Sequence, residues 1–253
     1  MAKSFKEKIG DRDICLGAWL TMQSPQIAEV MASCGFDWLC VDIEHTPLDE
    51  SDTLLAFMAA ERHGAAPVAR LPSADPFLAR RLLDAGAQGL IVPVVEDSRR
   101  FSEFADHCLY PPKGRRGMGL SRANLWGDRF DEYTGDFEPV LVAQVETRKG
   151  VANIDEIAAL EAVDAVFLGP YDLSADLGQP GNFETEAFAD AIDSVRSACE
   201  REGKAAGYHQ VAPDMAALRE RIAEGYRLLA YATDVVAMRQ AFTGIRELIA
   251  STS

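Results

Sequence analysis

VLVAQVETRKGVANIDEIAALEAVDAVFLGP, residues 140–170, contains one complete β-α-β unit. VLVAQVE 140–146 and AVFLGP 165–170 are short runs rich in β-branched and apolar residues. Between them RKGVANIDEIAALEA 148–162 carries apolar residues at helical spacing. The two runs do not alternate apolar with polar, so both faces of each strand are buried. Strands of that kind belong to parallel sheets covered by helices. Working outward, the same run recurs at CLGAWL 15–20, DWLCVD 37–42, APVARL 66–71, GLIVPV 89–94, AAGYHQ 205–210 and LLAYAT 228–233. Helical stretches separate most of them, among them SPQIAEVMASCG 24–35, DTLLAFMAAERHG 52–64 and DPFLARRLLDAGA 75–87. Gly35, Gly64, Gly86, Gly203 and Gly225 stand where these helices should stop, as left-handed caps require. Eight β-α units in about 250 residues predict an α/β fold, a (β/α)8 TIM barrel. A doubly wound open sheet is the alternative, but the first turn, WLTMQSP, lacks its glycine fingerprint. With no linker and no low-complexity tract, residues 1–253 read as a single domain. Two connections are long, 108–138 after the fourth strand and 171–186 after the sixth. Both follow strand C-termini, the face on which barrels build active sites.

The composition narrows the function. Of 253 residues 48% are apolar and 26% charged, ordinary for a globular chain. Forty Asp and Glu against 25 Lys and Arg leave a net charge of −15. So acidic a body repels nucleic acid and anionic membrane surfaces, and neither is expected as a partner. No stretch approaches the roughly 20 apolar residues of a membrane span. The start, MAKSFKEKIG, has no apolar core of a secretory signal. Five cysteines (15, 34, 40, 108 and 199) form no C-x-x-C pair; Cys15, Cys34 and Cys40 lie in apolar runs and read as buried free thiols. A cytoplasmic location fits them best.

Chemistry is to be sought among polar residues at strand C-termini. The second strand ends in Asp42-Ile43-Glu44-His45, the third in Arg70, the fifth in Gln144-x-Glu146, and the sixth runs into Gly169-Pro170-Tyr171-Asp172. Arg70 is placed to meet an anion at the barrel mouth, or else to pair with an acid of a neighbouring strand. Glu146 and Asp172 come from adjacent strands, so their carboxylates can converge on one cation. Two oxygen ligands with the other positions open suit Mg2+ or Mn2+. Asp172 reads equally as a helix cap. His45, beside acids, is a candidate general base. Asp84, in the apolar helical stretch RLLDAGA, needs a partner, and a contact with His45 would supply one. His63 and His107 lie at helix ends and read as structural, whereas His209 ends the seventh strand and faces the mouth. Only six of the 25 cations are lysines (3, 6, 8, 113, 149 and 204), and none sits inside the barrel near a strand end. Imine chemistry is therefore not expected. Gly114-x-x-Gly117-x-Gly119 is a weak phosphate signal, although Arg115, Arg116 and Arg122 beside it could contact an anionic substrate.

The stretches GAWLTMQSPQIAEVMASCGFDWLCVDIEH (17–45), ARLPSADP (69–76), LLDAGAQGLIVPVVED (82–97), YPPKGRRGMG (110–119), VAQVETRKGVANIDEI (142–157) and FLGPYDLSADLG (167–178) together resemble the HpcH/HpaI aldolase family. These are metal-dependent pyruvate aldolases, typified by 4-hydroxy-2-oxoheptanedioate and 2-keto-3-deoxy-sugar-acid aldolases. The resemblance runs from about residue 15 to 240. It implies a divalent cation, Mg2+, Mn2+ or Co2+, held by Glu146 and Asp172, and no organic cofactor. It also implies that Arg70 faces the pyruvate keto oxygen, that His45 and Asp84 form an acid–base dyad, and that Gln144, Gly169, Pro170 and Tyr171 bind pyruvate. Trp19 would line the same mouth. The implied reaction is reversible cleavage of a 4-hydroxy-2-oxo acid to pyruvate and an aldehyde, through an enolate stabilised by the cation and Arg70. An acyl-CoA lyase and a 2-oxo diacid decarboxylase, which use similar enolate chemistry, are the alternatives. A hexamer built from dimers is implied, with helix 234–250 packed on a partner. Two positions depart from the pattern: Tyr171 replaces a small residue, and His209 replaces an apolar one, near the pyruvate methyl.

Overall fold

The computed structural model describes residues 3–246 and residue 249. Eight strands close into one barrel in sequence order. They are β1 Cys15–Leu20, β2 Trp38–Asp42, β3 Ala66–Arg70, β4 Gly89–Val92, β5 Val140–Val145, β6 Ala165–Leu168, β7 Ala205–Gln210 and β8 Leu228–Thr233. Every neighbouring pair, including the closing pair β1 and β8, is parallel. This is the (β/α)8 architecture expected from the repeated unit, and strand boundaries match to within a residue or two. β4 and β6 stop early, ahead of Pro93 and Pro170, because proline has no N–H for the ladder.

Alternate strand residues point inward. Cys15, Trp19, Trp38, Cys40, Val68, Ile91, Val142, Phe167 and Ala230 form a cluster inside the barrel, while the outward set packs against the helices. Two glycines make the interior fit. A Cβ on Gly17 would stand 2.1 Å from the Trp38 ring, and one on Gly207 would stand 2.3 Å from Phe167. The short helix Phe5–Gly10 seals the N-terminal end of the barrel, with Phe5 and Ile9 joining the inner cluster. Six residues are too few to show helical periodicity. Its visible mark is the Ser4–Glu7 capping box.

The helices follow the predicted spacing, and all five expected cap glycines have positive φ, from 68° at Gly203 to 113° at Gly86. The stretch 148–162 divides into Arg148–Ala152 and Ile154–Ala158, because Asn153 turns aside and its side chain donates to the Glu96 carbonyl. The 108–138 connection contains a 3-10 turn, Arg122–Gly127, and a helix, Phe130–Asp136. The 171–186 connection begins within the helix Pro170–Asp176. The C-terminal helix is described as Asp234–Phe242, and Thr243 after it is extended. Residues 247, 248 and 250 of the expected 234–250 helix lie outside the described residues. Cys15, Cys40, Cys108 and Cys199 are buried free thiols, but Cys34 is exposed, since it caps the helix Pro25–Ser33 at its open end. Among the described residues no helix is long and apolar enough to cross a membrane.

The interior fit at Gly17 is testable. Gly17→Ala forces a methyl into the Trp38 ring and is expected to lower stability in urea unfolding by about 1–3 kcal/mol. Gly119→Ala, where a Cβ meets nothing within 4 Å, should change it by less than about 0.5 kcal/mol.

Candidate active site

The C-terminal ends of the strands surround a cavity of about 310 Å³. Trp19, His45, Arg70, Gln144, Gly169, Pro170, Tyr171, Asp172 and His209 all line it. Parity puts the strand residues there: Trp19, Arg70, Gln144 and His209 continue the inward-facing series of their strands to the last position before the loops. Tyr171 stands at the rim, more than half exposed, with its ring edge-on to Phe183 at 5.1 Å. Its bulk therefore leaves the cavity floor open.

Arg70 is held by an acid of the neighbouring strand. Asp42 and Arg70 are register partners on β2 and β3. Nε donates to Asp42 Oδ1 at 3.0 Å and a terminal nitrogen donates to Oδ2 at 2.5 Å. The other terminal nitrogen lies 3.2 Å from Glu44, and the guanidinium lies over the Trp19 ring at 5.0 Å. Burial alone would push the Asp42 carboxyl up, but the bonds and charge of Arg70 outweigh it and hold it below its usual value. Arg70 has five N–H donors, so this anchoring leaves donors for an anion in the cavity.

Glu146 lies just beyond β5 and is almost fully buried. Val94 N–H donates to Oε1 at 2.7 Å, and Gln144 Nε2 donates to Oε2 at 2.5 Å. Val94 makes that bond from φ 51°, a left-handed conformation that a β-branched residue rarely adopts. A Cβ on Gly169 would come within 2.3 Å of Glu146 Oε2, so the main chain after β6 can approach this carboxylate only as glycine. Burial chiefly, and the charge of Asp172 in addition, push Glu146 above its usual value. Asp172 itself is exposed in the first turn of the helix Pro170–Asp176, whose cap is Gly169. Among the described residues no cluster of three or more His, Cys, Asp or Glu could hold a metal. An oriented Glu146 with the Asp172 charge acting on it would suit a hard cation that takes its remaining oxygens from water and substrate.

The structure separates His45 from Asp84. The helix Pro76–Ala85 runs back from the mouth, which carries Asp84 on the order of 12 Å down the outside of the barrel. There its carboxylate accepts from Arg116 at 2.6 Å. Within the chain the acid at ion-pair distance from the His45 ring is Glu44, 3.7 Å from Nε2. The arginines of the long loop do not reach this mouth either. Arg116 is buried against the Tyr110, Tyr133 and Phe137 rings, and Arg122 bonds Glu61 and the Ala85 carbonyl at helix ends near the closed end. They fasten the loop to the outer helix layer. The lysines stay clear of the cavity as expected, Lys149 with Glu96, Lys113 with Glu138, and Lys204 on the Leu160 carbonyl. His63 and His107 cap helices.

Several residues of the site escaped the reading of the sequence. Asp42 had a usable signal, since it continues the inward series Trp38, Cys40, Asp42. Phe167 likewise continues Ala165. Thr21 and Thr233 line the cavity beside a tie without a local signal: Asp234 accepts from Thr21 N–H and Thr21 Oγ1, 213 residues away in sequence, and from Met22 N–H.

Known proteins resemble this chain in sequence and in fold. The sequence pattern of the HpcH/HpaI aldolase/citrate lyase family matches residues 16–241. A hydroxypyruvate/pyruvate aldolase of Roseovarius nubinhibens is 37% identical over 240 residues, covering 94% of this chain and 93% of the relative. A 5-keto-4-deoxy-D-glucarate aldolase of Shigella dysenteriae is 35% identical, with 94% and 93% covered. Among solved structures, an HpcH/HpaI aldolase/citrate lyase family protein of Burkholderia cenocepacia superposes with a TM-score of 0.89 at 34% identity, over 97% of this chain and 100% of that one. An HpcH/HpaI aldolase of Desulfitobacterium hafniense gives 0.89 at 30%, over 98% and 97%.

The Asp42–Arg70 pair has a pH signature. A carboxyl held below its unfolded value stabilises the fold above that value, about 3.8, and the contribution is lost as pH falls through the folded value. Asp42→Asn leaves Arg70 buried without its counter-charge and should cost about 3 kcal/mol at pH 7. In urea unfolding the gap between the two proteins should hold from pH 7 to about 4 and narrow below it. A gap that ignores pH would show that the pair does not carry the effect.

Proposed function

The chain belongs to the HpcH/HpaI aldolase/citrate lyase family and is a lyase; from that premise we propose that it reversibly cleaves a 4-hydroxy-2-oxo acid to pyruvate, or a close 2-oxo acid, and an aldehyde, with a divalent cation as cofactor. One observation carries this reading: the Asp172 carboxylate and the Arg70 guanidinium line one 310 Å³ cavity at the barrel mouth, and the buried Glu146 carboxylate, bonded to the cavity residue Gln144, feels the charge of both. Glu146 and Asp172 would hold Mg2+, Mn2+ or Co2+, which when bound draws electron density from the oxygens of a 2-oxo acid. Gln144 and Val94 N–H keep the Glu146 carboxylate turned to that task.

The chain's own residues account for the remaining chemistry. His45, at the cavity edge, takes the proton of the C4 hydroxyl on Nε2. The C3–C4 bond then breaks, the aldehyde leaves, and the bonding pair moves into the C2–C3 bond as negative charge gathers on the 2-oxo oxygen. Arg70, already fixed by Asp42, donates to that oxygen without having to reorganise. A proton returned to C3 completes pyruvate. Trp19 and Phe167 form the apolar floor that limits water beneath the reacting carbons.

The same reading makes residues 1–253 one catalytic domain that works in the cytoplasm as a homo-oligomer, a hexamer of three dimers. An apolar groove of about 390 Å³ between the helices Pro25–Ser33 and Asp234–Phe242 supports association. Val30 and Met238 on its walls are exposed, and Phe242 farther along is 69% exposed.

Incubation with 4-hydroxy-2-oxo acids and Mg2+, Mn2+ or Co2+ should release pyruvate, and EDTA should abolish the release. Acyl-CoA thioesters and 2-oxo diacids in parallel reactions test the two alternatives. Glu146→Gln should lose more activity than the roughly 10–100-fold typical of losing an outer partner of a metal ligand. Activity that persists in EDTA would overturn the cation-dependent reading. Light scattering coupled to gel filtration should give close to six times the 27.6 kDa chain mass, and a monomer would overturn the assembly.

A further inference from the structure

The cavity wall divides into two arcs. One arc comes from β3, β5 and the turn after β6: Arg70, Gln144 with the buried Glu146 bonded behind it, and Gly169 to Asp172. The other arc, from β7 through β8 to β1, presents His209, Thr233, Trp19 and Thr21. A 2-oxo acid held through its carboxylate and keto oxygens by the first arc turns its third carbon toward the second. The polar atoms of that second arc are therefore the ones that read a substituent on this carbon.

Two of them are already engaged. Thr21 Oγ1 donates to Asp234 at 2.5 Å, and Thr233 Oγ1 accepts from Val236 N–H at 3.3 Å. His209 differs. Its ring stacks on Trp19 with centroids 4.5 Å apart and planes 24° apart, and its Nε2 is buried with no hydrogen-bond partner. A buried nitrogen left bare is uncommon in native proteins and marks a place where a ligand can supply the missing bond. Burial chiefly pushes the imidazole down to about 4, so it is neutral near pH 7; with the ring already bonded to the Ala232 backbone, Nε2 is the nitrogen left to meet a ligand. An apolar residue on the same stack would fill the space without offering one.

We propose that His209 selects the donor substrate by hydrogen-bonding a hydroxyl on its third carbon, so that the protein favours 3-hydroxy-2-oxo acids of the hydroxypyruvate type over pyruvate. This rests on the lyase reading above. The stack on Trp19 fixes the ring plane at the cavity wall, and its Nε2 has its hydrogen-bonding capacity unspent within the protein. Pyruvate, with only a methyl at that carbon, leaves the nitrogen bare and forgoes the gain.

The test uses the full-length, cation-loaded protein and two readouts. Calorimetric titration gives the binding of hydroxypyruvate and of pyruvate, and steady-state kinetics gives kcat/KM for both with a common acceptor aldehyde. The wild type should favour hydroxypyruvate in each. His209→Phe keeps a ring on Trp19 and removes both nitrogens; the hydroxypyruvate-to-pyruvate ratio should fall about tenfold, mainly through KM. His209→Gln, which restores a donor and an acceptor, should recover part of it. A ratio unchanged in His209→Phe, or no preference in the wild type, overturns the inference and leaves the lyase reading standing. A binding preference that falls in His209→Phe while no variant turns over any aldol substrate overturns the lyase reading instead. Binding of neither acid overturns both.

Discussion

Asp42 and Arg70 meet across β2 and β3 as register partners, and the mouth of the barrel is arranged around their bond. Bringing both charges out of water is costly, and only a two-pronged geometry with further contacts offsets it. The further contacts are present: Asp42 Oδ1 also accepts from Glu44 N–H and His45 N–H, and Arg70 lies over Trp19. One carboxylate thus fixes the guanidinium and shapes the turn that presents His45. Trp19, held beneath Arg70, is in turn the surface on which His209 stacks. Four strands contribute to this chain of contacts, which ties Asp42, Arg70, Trp19 and His209 to one another across the mouth.

The opposite side of the mouth depends on strain instead of charge pairing. Val94 adopts a left-handed backbone, and its N–H then meets Glu146. Gly169 lacks the Cβ that would collide with the same carboxylate. Both features hold a buried acid in one orientation beside Asp172, at a cost in intrinsic stability that the surrounding barrel bears. The acidic excess of the chain is consistent with this division. A few carboxylates are buried and oriented at the mouth, as Asp42 and Glu146 are, while others stand on the surface, some of them in exposed ion pairs such as Arg99 with Glu103. Pairs of that kind add little to stability.

Much of the site was readable because inward parity and strand ends are local properties. Gln144, Arg70 and His209 each end an inward series, and periodicity alone places them at one mouth. Within one chain the same reasoning does not bring Asp84 to His45. An apolar helix with one acid seemed to require a partner at the mouth, but the helix direction carries that acid toward the closed end, where Arg116 meets it. The loop arginines misled for a related reason. A charge cluster in sequence says nothing about which layer a long loop lies on, and the stack of Arg116 on three rings is assembled from residues 110, 133 and 137.

What the sequence determined by itself is the barrel, because eight buried runs alternating with helical periods admit few other packings, and the parity of each strand, because side chains alternate with a period of two. What only the tertiary structure decided is how those side chains are partnered. Arg70 is anchored by Asp42 instead of standing free, His45 lies beside Glu44 instead of Asp84, and His209 is stacked with its Nε2 left bare. Partnership at a barrel mouth depends on register between strands and on the direction each helix takes away from it, and neither is encoded in the spacing of residues along one strand.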